Sequence, residues 1–153
     1  MLAFISFGRF LFSVLFIFSG ASKLLDLAAT TELMSKIEVP AMLISYTGEL
    51  ETQLGMAWPK MLAIVAGVTE LLCGVMIALN FAARYFALIL IVFVIAVTYT
   101  QHPFWSQSGP ESTANMIHAL KNLSLIGALF IIVGIGRGPR PVAAEAEPSY
   151  PEV

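Results

Sequence analysis

Four apolar runs constrain this chain more than anything else in it. They cover residues 3–25, 59–79, 82–102 and 113–136. Each is about 20 residues long and makes about 30 Å of helix, enough to cross the hydrocarbon core of a bilayer. Their aromatic and β-branched residues would also suit strands. A helix, however, satisfies every backbone polar group within its own segment, which a bilayer demands. The expected fold class is therefore all-α: an integral-membrane, antiparallel four-helix bundle. Composition agrees. The chain is 58% hydrophobic and 12% charged, whereas a soluble domain carries about 25% charged residues. A net charge of −2, with no basic patch and no aromatic platform for bases, argues against a nucleic-acid partner.

The first run could be read as a signal peptide, because Ser19-Gly20-Ala21 resembles a small-residue cleavage site. Residues 1–8 hold no basic side chain, and Arg9 lies inside the run. A transmembrane helix fits better. The single cysteine, Cys73, cannot form an intramolecular disulfide or a cysteine-rich metal centre, and it reads as a buried small hydrophobe.

The connections are unequal. Two or three residues near Asn80 join the second run to the third, so those helices should form a tight hairpin. The link at 103–112 carries Pro103, Gly109 and Pro110, with Ser112 as the expected N-cap of the fourth helix. The first loop, 26–58, is the long one. Within it, residues 27–37 are mildly amphipathic, Glu32 and Lys36 are spaced as a surface pair, and Pro40 should end the segment. A short extra helix is expected there, lying on the membrane surface or capping the bundle. Residues 137–153 are rich in Pro, Ala and Glu and have no core-forming pattern, so they read as a tail. Arg9, Arg84, Arg137 and Arg140 lie at one set of helix ends and Lys23, Lys36, Lys60 and Lys121 toward the other, so basic residues alone do not decide orientation. Most acidic residues lie on the lysine side, Lys23 and Lys121 lie within helices, and Arg137 and Arg140 sit directly against a helix end, so both termini are expected in the cytoplasm.

Glu70 is the lone charge in the 19-residue stretch Met61–Leu79. An ionisable group at mid-bilayer costs on the order of 3 kcal/mol or more unless it is paired or hydrated. Depth suggests its partner. Glu70 lies about 16 Å along the second helix and Lys121 about 12 Å along the fourth, counted from the same face. Glu70–Lys121 is thus the expected buried ion pair, with Lys23 joining it or snorkelling outward. Other polar side chains gather near that end. Tyr99 and His102 share a face of the third helix, while Asn115, His118 and Asn122 recur along the fourth. Ser19 lies one turn before Lys23. Together, Ser19, Lys23, Glu70, Tyr99, His102, His118, Lys121 and Asn122 could line a cavity for a small amphipathic ligand. A quinone or a lipid head group would accept hydrogen bonds from Lys, His or Tyr, and Glu70 could carry protons. The competing view is a buried ion pair that only holds the helices in register. The two histidines lie near the rim and Glu70 deeper, so no metal site and no covalently bound cofactor is expected. No phosphate loop or nucleophile elbow is present.

These residues resemble the DoxX family of four-helix bacterial membrane proteins. Gly8-Arg9 resembles the family's opening, and Ser19-Gly20 followed by Lys23 its signature on helix one. Glu70 with Gly74 resembles the helix-two motif, His102 with Phe104 the end of helix three, and Lys121-Asn122 with Gly127 the helix-four motif. The resemblance implies a multi-pass protein of the bacterial inner membrane linked to oxidoreductase or respiratory complexes. Some members are small subunits of a thiosulfate:quinone oxidoreductase. Two functions are therefore expected to compete. One is an accessory subunit of a larger respiratory or photosynthetic membrane complex, held through the long first loop and the tail. The other is a quinone-interacting subunit of a membrane oxidoreductase.

Overall fold

A computed structural model of the chain describes residues 2–37, 39 and 41–136. Those residues form an all-α fold of six helices: α1 (Leu2–Leu25), α2 (Leu27–Ser35), α3 (Ile44–Leu54), α4 (Trp58–Ala78), α5 (Ala83–Gln101) and α6 (Gly109–Ile135). Four of them, α1, α4, α5 and α6, are long and apolar enough to cross a bilayer. Their outer surfaces carry large apolar side chains such as Phe7, Phe18, Val65, Val92 and Phe130. Small side chains lie between the helices, among them Ser13, Ala63, Ala66, Ala83 and Ala87. This distribution suits a lipid solvent, in which helices associate by close van der Waals packing.

The four long helices form an open row. α1 packs along α4, α4 along α5, and α5 along α6. No comparable contact joins α6 back to α1 among the described residues. The reason lies in helix composition. α4 buries Ala63, Ala66, Gly67, Glu70, Cys73, Gly74 and Ile77, a stripe at the 3.6-residue period that receives neighbours on both flanks. α6 buries only Leu129 and Ile132, in contact with the α5 core.

Glycines set the α1–α4 approach. A Cβ on Gly20 would fall 2.5 Å from the Leu71 backbone nitrogen and 2.6 Å from the Gly67 carbonyl oxygen. On Gly74 it would meet the Ile17 backbone nitrogen at 3.0 Å. Any side chain at these positions would push the two backbones apart.

The α4–α5 turn shows how the chain reverses. Phe81 N–H donates to Met76 O at 3.0 Å and Asn80 N–H to Ile77 O at 3.1 Å, the paired bonds of a Schellman ending. Asn80 takes the left-handed conformation (φ 59) that this ending needs and that asparagine tolerates. At the other end of α4, the Glu51 carboxylate accepts from Trp58 N–H at 2.6 Å, satisfying a donor the helix cannot.

Three expectations need correction. The first loop holds two helices, α2 and α3, rather than one. α2 packs against α4 through Met34 beside Ala63 and Ala66, so it caps the bundle. Asp26 starts it by accepting from Ala29 N–H. No ion pair joins Glu32 to Lys36; Lys36 follows the last turn of α2 and lines a hollow toward the end of α5. Finally, α6 begins a turn before the expected Thr113, because Pro110 stands in its first turn, where a missing N–H is harmless. Ser112 then lies inside the helix and donates to Phe104 O, so it is not the N-cap. The expected break at Pro40 and the tail at 137–153 lie outside the described residues.

Candidate functional site

Glu70 lies on the buried stripe of α4, beside the point where Gly20 brings α1 closest. Ser19 precedes that glycine and Lys23 follows it by less than one turn, so both side chains are delivered to the carboxylate. Lys23 Nζ donates to Glu70 Oε2 at 2.6 Å and to Ser19 Oγ at 2.6 Å. Ser19 Oγ in turn donates to Glu70 Oε2 at 2.9 Å. The three groups close a ring, and its ion pair joins α1 to α4.

The expected pairing of Glu70 with Lys121 is therefore wrong; Lys23 is the partner. Lys121 has a suitable depth but points outward from α6 and is exposed. The next residue, Asn122, is rotated by about 100° and faces inward. Depth fixes where along a helix a charge sits. It does not fix the side from which the charge projects.

Both contacts to Glu70 converge on Oε2, and Oε1 takes no hydrogen bond among the described residues. A cavity of about 210 Å³ adjoins the carboxylate, lined by Ser19, Lys23, Glu70, His102 and Asn122. Leu15, Phe16, Phe93, Val94, Val97 and Leu125 supply its apolar walls. It draws on α1, α4, α5 and α6, and it lies on the side where α1 and α6 do not meet.

Hydrogen bonds orient the rest of the lining. Asn122 Nδ2 donates to Thr98 Oγ1 at 2.9 Å, and Thr98 Oγ1 donates to Val94 O at 2.6 Å. Asn115 Nδ2 donates to Gln107 Oε1 at 2.6 Å, which leaves Asn115 Oδ1 as an acceptor 3.0 Å from His102 Nδ1. In neutral His102 the proton then sits on Nδ1, and Nε2 is an acceptor. Thr98 and Gln107 were not singled out from the sequence. Thr98 could have been, since it precedes His102 by four residues and shares its helix face.

Two more expected members, besides Lys121, stand outside the cavity. Tyr99 is 69% exposed and stacks on Trp105, with ring centroids 5.5 Å apart. His118 is exposed and stacks on His102 at 4.9 Å, with the rings 11° from parallel. Parallel stacked rings do not converge their nitrogens on one point. No group of three or more His, Cys, Asp or Glu side chains gathers as a metal site among the described residues.

The chemistry available is that of a compact donor–acceptor set under an apolar roof. Lys23 has a third N–H beyond the two in use, Asn122 offers a second amide hydrogen and its oxygen, and Glu70 Oε1 and His102 Nε2 accept. Such a set can hold a small ring bearing carbonyl or hydroxyl oxygens and can exchange a proton with it. The volume falls below the roughly 300–1,000 Å³ of a site for a drug-sized ligand, so it suits a head group.

The family model described as DoxX matches residues 4–103, which takes in Ser19, Lys23, Glu70 and His102. Inner membrane protein YphA of Escherichia coli (strain K12) is 30% identical over 92 residues, covering 60% of this chain and 66% of that protein. No solved structure matches significantly.

The assignment of Lys23 over Lys121 has a direct consequence. Lys23→Ala leaves a carboxylate unpaired and should destabilise the protein by about 3–5 kcal/mol. Lys121→Ala should change stability by no more than about 0.5 kcal/mol. Thermal unfolding in mild detergent measures both, and equal losses would rule out the assignment.

Proposed function

The chain belongs to the DoxX family of membrane proteins, and on that premise we propose that it is a bacterial inner-membrane subunit that binds a quinone head group. The observation that supports this most is the free Glu70 Oε1 in a cavity also lined by Lys23, His102 and Asn122. A carboxylate that only locked two helices would gain by spending both oxygens on protein donors. Here one oxygen is left for a ligand. Lys23 and Asn122 donate to a quinone carbonyl, while Glu70 and His102 accept from a quinol hydroxyl or carry its proton. Because α1 and α6 are not packed together among the described residues, the proposal has the amphipathic molecule enter from the bilayer between them.

One cysteine and two histidines give the chain few ligands for a redox centre of its own. Its electrons would come from a partner, so the quinone reading places the chain within a larger oxidoreductase. Protein purified in mild detergent from its native membrane should retain quinone, detectable by solvent extraction. Glu70→Gln or Asn122→Leu should lower retention about tenfold, the effect of one lost charge-assisted or buried hydrogen bond. Absence of quinone from the native protein, with no uptake of an added short-chain quinone, would refute the reading.

A second reading is an accessory subunit of a respiratory or photosynthetic complex, with no chemistry of its own. The sparsely buried α6 supports it, since it leaves an apolar face for a neighbouring membrane protein. On that reading the charge-free replacement of both partners, Lys23→Met with Glu70→Leu, leaves both assembly and turnover of the complex unchanged.

We also propose that both termini face the cytoplasm, because Arg137 and Arg140 directly follow the fourth apolar run while Lys23 and Lys121, on the opposite side, lie within helices. Cys73 is buried, so a cysteine appended to the C-terminus can be read against a quiet background. A membrane-impermeant maleimide should label it in inverted vesicles only. Labelling in intact spheroplasts would reverse the orientation.

A further inference from the structure

Lys36 and Tyr99 take no part in the Glu70 cavity, yet they line one hollow together. That hollow, of about 620 Å³, lies between the end of α2 and the turn that follows α5, and Thr100 and Ser106 add hydroxyls to it. A second hollow, of about 360 Å³, is an apolar groove between α5 and α6 walled by Ile95, Met116, Leu120 and Leu123. Tyr99 and Trp105 belong to both linings. Their stacked rings thus stand where a polar hollow passes into an apolar one.

We propose that the two hollows form one site for an anionic phospholipid. Its phosphate sits beside Lys36 and one acyl chain lies in the α5–α6 groove. Lys36 is exposed and has no ion-pair partner among the described residues, although Glu32 is correctly spaced for one; Glu38, between the lining residues Ile37 and Val39, lies outside the described residues. The groove reaches from Met116 to Ile126, about 15 Å along α6. An apolar groove of that length takes up part of a single acyl chain. The Tyr99–Trp105 stack lies at the end of a membrane span, where amphipathic rings settle at head-group level. The Thr100 and Ser106 hydroxyls donate to backbone carbonyls, so Lys36 supplies the phosphate contact and the apolar groove behind it the acyl contact. This site is separate from the Glu70 cavity and does not depend on what fills that cavity.

The chain has two tryptophans, so Trp58→Phe leaves Trp105 as the sole reporter. The full-length variant is reconstituted in phosphatidylcholine vesicles and titrated with phosphatidylglycerol or phosphatidylcholine carrying brominated acyl chains, which quench indole fluorescence on contact. Half-quenching by the phosphatidylglycerol is expected at about fivefold lower mole fraction, the preference one lysine confers near a membrane surface. Lys36→Gln on the same background should equalise the two lipids. Lys60→Gln, another exposed lysine at the same end of the bundle, should leave the preference intact. Equal quenching in the parent, or a preference that survives Lys36→Gln, would overturn the proposal. Loss of preference in both lysine variants would also overturn it, by showing a general surface-charge effect.

Discussion

A carboxylate in the middle of a hydrocarbon span has to be compensated, and the architecture around α4 follows from that requirement. Burying Glu70 alone would cost several kcal/mol. The compensation comes from α1, and it reaches Glu70 only because glycines at 20, 67 and 74 let the two backbones nearly touch. Once they touch, Ser19 and Lys23 stand within hydrogen-bonding reach of Glu70, and the ring they form with it closes. The most intimate helix contact and the most polar group in the membrane interior are therefore one feature.

The same packing explains why a cavity exists. α4 is used on two flanks, by α1 and α5, while α6 reaches only α5. A closed bundle would have pressed α6 onto α1 and filled the space beside Glu70. The open row leaves that space lined by Lys23, Glu70, His102 and Asn122, with apolar walls. A second, shallower set of hollows gathers around Tyr99 and Trp105 at the end of the same row. Both features sit where a helix that could have been covered is not.

The sequence made the helices legible because a bilayer leaves few alternatives for a 20-residue apolar run. It also made Glu70 legible, since a lone charge in such a run stands out. It left the partner open. Lys23 and Lys121 both have a reachable depth, and only the order of the helices in space decides between them. That order depends on shape complementarity between small-residue stripes, which no single segment encodes. The signal that could have decided was Gly20: a residue without a side chain, set between Ser19 and Lys23, marks where α1 can approach α4 most closely. Start positions were less legible for a local reason. Pro110 looks like a helix breaker but sits comfortably in a first turn, so α6 extends back to Gly109. Tyr99 and His118 were placed on the correct helices, and small differences in rotation about the axis put them outside the cavity.

The central claim is that the Ser19–Lys23–Glu70 ring serves a ligand as well as the fold. A charge-free variant, Lys23→Met with Glu70→Leu, separates these roles, because replacing both members of a buried pair by apolar residues is often neutral for stability. The measurement is quinone content of that purified variant alongside its thermal unfolding. The account predicts a protein as stable as the parent that retains no quinone. A stable variant that retains quinone as the parent does would contradict it.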